Sequence, residues 1–163
     1  MTVVPQQGQW FRRVLGHFPT GVVIVTAIDD DTPVGMAIGS FTSVSLDPPL
    51  IAILPAKTSV SWPRIAAAGA FCVNVLNARQ EALCRTFATT GADKFAGVPW
   101  RPSPLGAPVL EGTLAWIDCS LEQLVEAGDH YIALGRVRSL DVSADQAIEP
   151  LVFFKGGYGT IRR

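Results

Sequence analysis

The sequence predicts a mainly β protein: a closed or nearly closed antiparallel β-barrel with short helices, built as one domain over residues 1–163. Three observations lead there. About seven runs of apolar and β-branched residues are punctuated by Gly, Pro, Asn and Asp. Only short segments, two or three of them, carry helical periodicity. Strands and helices do not alternate as βαβ units, and no GxGxxG follows a strand, which argues against a Rossmann sheet. A chain of 163 residues with 48% hydrophobic and 17% charged residues can bury a sizeable core, and so apolar a composition favours a buried sheet, an oligomer interface or both.

Residues 8–17 read as a short helix with Trp10, Phe11, Val14 and Leu15 on one side and Arg12 and Arg13 outward. Pro19-Thr20-Gly21 breaks it. The β-branched run VVIVTAI, 22–28, predicts a strand buried on both faces. DDDTP is a turn, and the acidic run in it reads as solvated. The return stretch GMAIGSFTSVSLDPPL, 35–50, begins like a buried strand and becomes a ladder of hydroxyls. It stops where Pro48 and Pro49 remove ladder donors. Residues 50–54 are a further strand.

Ser59 or Ser61 caps a short helix that has Pro63 in its first turn and ends at Gly69. AFCVNVL, 70–76, is a strand in which the one polar residue, Asn74, satisfies buried backbone groups. Residues 79–89 are helical, capped by Asn77. Residues 90–108 are irregular and rich in Gly and Pro, and a loop of such length in a compact domain is often functional. Residues 112–126 form a long strand whose IDCSLE segment alternates, one face buried and one wet. Residues 127–129 turn it back into a strand over 130–142. Residues 151–154 are the last strand, and GGYG is a flexible tail.

The formal net charge is −1, without a basic run, so nucleic acid and anionic membrane surfaces are not indicated as partners. No segment is long and apolar enough to span a membrane as a helix, and no signal peptide is legible, which predicts a cytoplasmic protein. The three cysteines form no CxxC pair and read as buried free thiols. With two histidines, a zinc site is not supported and no metal is expected. No GxSxG elbow selects a nucleophile. By elimination, an enzyme with this sequence leaves the difficult step to a cofactor.

Hydroxyls cluster at strand ends: Thr20, then 40–45, then 58–61. Lys57-Thr58-Ser59-Val60-Ser61 before a helix suits a phosphate, which wants several N–H and O–H donors, but it equally suits an ordinary capped helix.

Several segments then carry a resemblance. They are FPTGV at 18–22, GSFTSVSLDPPL at 39–50, FCVNVL at 71–76, DKF at 93–95, GDHYIALGRV at 128–137, LVFF at 151–154 and GY at 157–158. In this order they resemble the flavin reductase-like family, the FMN-binding split barrels that serve as reductase components of two-component flavin monooxygenases. The resemblance runs from about residue 10 to 158 and implies a six-stranded Greek-key barrel that pairs as a homodimer, with flavin near the subunit interface. It implies FMN, alternatively FAD, as the flavin and NADH or NADPH as reductant. Thr20 falls by the flavin ring, and Gly39, Ser40, Phe41 and Thr42 lie along the isoalloxazine and ribityl chain. Ser59 and Ser61 reach the ribityl or phosphate. Lys94 is a charge partner, with Phe95 beside it as a cofactor contact or a plug for the long loop. His130 stands at the nicotinamide side, and Tyr158 covers the pocket. His130 and Ser40 are the residues implied in catalysis. Two departures stand out: Gly39-Ser40 replaces a pair of serines, and Lys94 replaces a frequent arginine. The implied function is NAD(P)H:flavin oxidoreduction, supplying reduced flavin to a partner monooxygenase. The alternatives are a flavin-binding electron carrier or flavin store, and a barrel kept only for dimerisation or binding.

Overall fold

The computed structural model of the chain describes residues 8–91, 93–143 and 148–161. A seven-stranded antiparallel sheet forms the body, in the order β3-β2-β6-β9-β10-β5-β4. Its strands are β2 (Val23–Asp29), β3 (Thr32–Ile38), β4 (Phe41–Leu46), β5 (Pro49–Ile53), β6 (Ala70–Val75), β9 (Ala115–Ala127) and β10 (His130–Val142). The two edge strands, β3 and β4, are consecutive and joined only by Gly39 and Ser40. A trans peptide advances the chain by at most ~3.6 Å per residue, so the two edges of the sheet meet and the sheet must curl into a barrel. The seam of that barrel lies at Gly39–Ser40. The wall has one strand more than the expected six, because β4 folds back on β5 as a hairpin.

A smaller sheet of β1 (Thr20–Gly21), β11 (Leu151–Phe154) and β12 (Gly157–Thr160) continues from one end of β2. The core fills the barrel with Val23, Val25, Ile53, Phe71 and Val73, capped by Trp62 and Ile65 of helix α2 (Trp62–Ala68). A second cluster, including Val22, Ile24, Leu76 and Leu110, lies under helix α3 (Glu81–Ala88). There Phe87 presses on β3 at Gly35, where a Cβ would lie 2.7 Å from its ring. The predicted strand over 22–28 is buried on both faces through Ala27, as the β-branched run requires.

Several expectations need correction. The stretch 35–50 is not one strand: it breaks at the seam, and Pro49 opens β5, where a strand's first residue tolerates proline. Residues 90–108 are not wholly irregular, since β7 (Trp100–Pro102) pairs with β8 (Pro108–Leu110) as a small hairpin. The Gly-rich tail is β12, paired with β11. The long strand begins at Ala115, and its alternation is not clean: Asp118, on the expected wet face, is fully buried. The helix over 79–89 starts with a 3₁₀ turn (Ala78–Gln80) before α3, and Asn77 and Gln80 complete a capping box. Helix α1 (Gly8–Leu15) has the predicted apolar side, yet Trp10 and Phe11 remain about half exposed. The three cysteines are free and buried, as expected.

Candidate functional site

The seam is where most of the expected site residues gather. Gly39 is exposed, and a Cβ on it would stand 3.2 Å from the Thr20 hydroxyl. Thr20 is brought there by β1, which leaves β2 at the same barrel end. Ser40 is fixed by β5: its hydroxyl donates to the Leu54 carbonyl at 3.2 Å and accepts from the Leu54 N–H at 3.3 Å. The Ser40 proton is therefore engaged within the barrel, and its free capacity is a lone pair rather than a donor. Phe41 is half-buried against the core, and Thr42 is exposed beside it.

Strand register carries the seam to His130. Phe41 pairs with Ile53, and Ile53 with Ala133 of β10. Beyond that row, Leu54 faces Ser40, and Ala56 bridges to His130. Ser40 and His130 thus stand at one end of the barrel, on either side of residues 54–56. The His130 side chain is 44% exposed, and its Nδ1 lies 2.8 Å from Asp129 Oδ1. That hydrogen bond holds the Asp129 carboxyl below its ordinary range. Lys57 ties the strip to the turn: its N–H donates to the Asp129 carbonyl at 2.9 Å, and its ammonium pairs with Glu126 at 3.0 Å.

The loop through 55–61 crosses from His130 to the other side of the seam. The Ser59 hydroxyl lies 3.7 Å from Met36 Sδ on β3 and caps the Trp62 N–H at 3.1 Å. Ser61 is buried and makes no capping bond with its side chain. It instead accepts from Lys94, whose ammonium also donates to the carbonyls of Gly35 and Phe87, each at 3.1 Å. Burial lowers the Lys94 pKa. Ser61, Arg64, Asp93, Lys94 and Phe95 border a cavity of about 530 Å³. Phe95 packs edge-on against Phe87 at 5.0 Å, so it plugs the loop into the core.

Tyr158 is reached through the smaller sheet, where Thr20 faces Phe153 and Phe153 faces Tyr158. Its hydroxyl meets Cys84 Sγ at 3.4 Å, and the Arg85 guanidinium covers its ring. The Cys84 contact and burial raise the Tyr158 pKa to about 12. Tyr158 therefore faces α3 with its hydroxyl, which the expectation of a pocket cover did not anticipate. Sequence reasoning also missed Leu54 and Gly35, which act through their backbones and so leave no residue-type signal.

The residues fit a flavin on two counts. Exposed Gly39 leaves a ledge without a side chain between Thr20 and Ser40, where a flat ring can approach the backbone. The donor set beyond it is the kind a ribityl phosphate takes, with the Ser61 hydroxyl backed by a cation. Among the described residues no cluster could hold a metal.

A curled antiparallel barrel with polar groups gathered at its seam defines a split-barrel protein. The chain belongs to the flavin reductase-like domain family, whose description matches residues 15–162. It is 55% identical over 152 residues to a flavin reductase of Pseudomonas putida, covering 93% of this chain and 88% of that one. It is 52% identical to the reductase subunit HsaB of a flavin-dependent monooxygenase from Rhodococcus jostii, covering 91% and 75% of the two chains. The NADH:FAD oxidoreductase SgcE6 of Streptomyces globisporus, solved with NAD and FAD fragments, superposes with a TM-score of 0.89 at 40% identity, over 100% of this chain and 96% of that one.

Proposed function

We propose that this protein is an NAD(P)H:flavin oxidoreductase that reduces FMN, or FAD or riboflavin, and releases the reduced flavin to a separate monooxygenase. One observation carries the reading. The seam sets Thr20, Gly39 and Ser40 at the barrel end that also bears His130, in a chain whose residues 15–162 match the flavin reductase-like domain. The flavin, when bound, supplies the acceptor for a hydride from the nicotinamide ring.

The side chains then have positioning work to do. Gly39 keeps the ledge clear, and Thr20 offers a hydroxyl at its edge. Ser40, whose proton is bound to Leu54, presents a lone pair that accepts an N–H. Ser59 and Ser61 receive the ribityl and phosphate groups, and Lys94 supplies positive charge behind Ser61. His130, held at Nδ1 by Asp129, orients the nicotinamide amide through Nε2. Holding two flat rings in contact and excluding water is the main contribution such a protein can make to hydride transfer.

The same reading makes the protein a homodimer, in which the exposed apolar side of α1 (Trp10, Phe11, Val14, Leu15) is covered by a second copy. It also makes the protein cytoplasmic. No helix among the described residues is long and apolar enough to cross a membrane.

Anaerobic mixing with FMN and NADH tests the reading, repeated with FAD, riboflavin and NADPH. Flavin absorbance should bleach well above the protein-free rate for at least one pair. If none does, the oxidoreductase reading fails; retained flavin without turnover would then indicate a carrier or store.

A further inference from the structure

Away from the seam, buried polar side chains converge on one small surface hairpin. Asp118 accepts from the Ser103 hydroxyl at 2.7 Å and from the Leu105 N–H at 2.8 Å. Asn74 accepts from the Leu110 N–H at 2.8 Å and donates to the Pro108 carbonyl at 3.3 Å. Thr26 donates to the same carbonyl at 2.5 Å, and Asn77 grips the Gly112 carbonyl. Thr26, Asn74 and Asp118 are fully buried. Networks of this kind in a low-dielectric interior fix geometry firmly. What they fix is the β7–β8 hairpin, which carries Trp100 and Arg101.

That hairpin closes a cavity of about 510 Å³ against the far ends of β9 and β10, lined by Trp100, Arg101, Val109, Glu111, Trp116 and Asp141. The Arg101 guanidinium lies 5.3 Å from the centre of the Trp116 ring. It makes no ion pair with a described residue, although Glu111 and Asp141 line the same cavity. Asp141 stands directly opposite Trp116 in the β9–β10 ladder. Two indole rings, a cation that makes no ion pair with a described residue and the side chains of two acidic residues thus line one concavity of ligand size.

We propose that this cavity is a second small-molecule site, separate from the seam, which takes a small zwitterion bearing a flat ring. The ring stacks on the Trp100 indole, the anionic end meets Arg101 where it covers Trp116, and the cationic nitrogen is balanced by Glu111 and Asp141. A ligand with only an anion would leave two carboxylates facing it, and one with only a cation would face Arg101. The site is remote from the seam. On β10, Asp141 lies eight residues beyond Ala133, whose row across β5 ends at Phe41, a separation of about 26 Å along an extended strand. The proposal does not depend on flavin reduction.

Isothermal titration of the intact protein with phenylalanine, phenylacetate and phenethylamine tests it. The expected result is saturable one-to-one binding strongest for phenylalanine, equal with and without FMN, and weakened about tenfold or more in Arg101→Ala. Asp141→Asn, which keeps the shape, should lower the preference for phenylalanine over phenylacetate. Absence of binding by all three, equal binding by the Arg101→Ala protein, a monopolar ligand that binds as well, or displacement by FMN would each overturn the proposal.

Discussion

The Gly39 backbone passes Thr20 so closely that a Cβ at residue 39 would sit 3.2 Å from the Thr20 hydroxyl. The contact is tight but involves one rotatable hydroxyl, so it can relax. Replacing Gly by Ala also removes unfolded-state freedom, worth about 0.4–1 kcal/mol where the backbone permits it. Gly39→Ala should therefore leave the melting temperature within a few degrees of the parent, the two effects offsetting. Flavin affinity should fall several-fold, because the methyl group occupies the ledge and turns Thr20 away. Thermal denaturation and fluorescence titration with FMN separate the two effects. A large loss of stability with unchanged FMN affinity would show that Gly39 serves the seam alone.

Lys94 holds three acceptors from three parts of the chain: Gly35, Ser61 and Phe87. An ammonium has three donors, so each is already engaged before any ligand arrives. Lys94→Met would leave two carbonyls and the Ser61 oxygen without that partner, at a cost of about 1–3 kcal/mol. The loss should appear as a lower melting temperature. Comparing FMN with riboflavin isolates any role toward phosphate. If Lys94 also attracts the phosphate, the variant should lose more affinity for FMN than for riboflavin. An equal loss for both would make it a structural clamp only.

Tyr158 and Cys84 share a contact at 3.4 Å that shapes stability in alkaline solution. The Tyr158 pKa is raised from its ordinary 10.0 to about 12, first by the Cys84 hydrogen bond and then by burial. Burial raises that of Cys84 as well, above its ordinary 9.0. Both raised values favour the protonated form in the folded state. Their contribution is thus fully present below pH 9 and is lost as the pH rises, for Tyr158 between 10 and about 12. Urea unfolding at increasing pH should show stability falling more steeply across that window in the parent than in Tyr158→Phe. Parallel curves for the two proteins would contradict the coupling.

Much of the barrel is legible in the sequence because its strands follow simple rules. The 22–28 run is apolar but for Thr26, and it is buried on both faces through Ala27. The hydroxyl cluster at 40–45 and the histidine at 130 are visible as residue types, and register brings its first member, Ser40, to the end that bears His130. What was not legible depends on partners distant in sequence. The break at Gly39–Ser40 exists because the sheet edges close there, and no local pattern encodes closure. The Leu54 and Gly35 contributions use backbone atoms, which every residue possesses. Tyr158 looked like part of a flexible glycine tail because its strand forms only by pairing with β11.

Asp118 shows the same limit most sharply, and it yields the clearest stability prediction. Period-two alternation assigns it to solvent, yet residues 103–105 fold over it and supply two donors. Asp118→Ala would leave the Ser103 hydroxyl and the Leu105 N–H buried or half-buried without an acceptor, and would open a small void. Unsatisfied buried donors cost about 1–3 kcal/mol each, so a loss of about 2–4 kcal/mol is expected. In a chain of this size each kcal/mol lowers the melting temperature by roughly 2–4 °C. The damage should be local: hydrogen exchange should quicken in 99–110 and leave β2 and β6 protected. Flavin reduction, which we place at the opposite end of β10, should keep its rate at temperatures where the variant remains folded. Loss of protection throughout the barrel at those temperatures would mean instead that Asp118 anchors the whole sheet and not the hairpin.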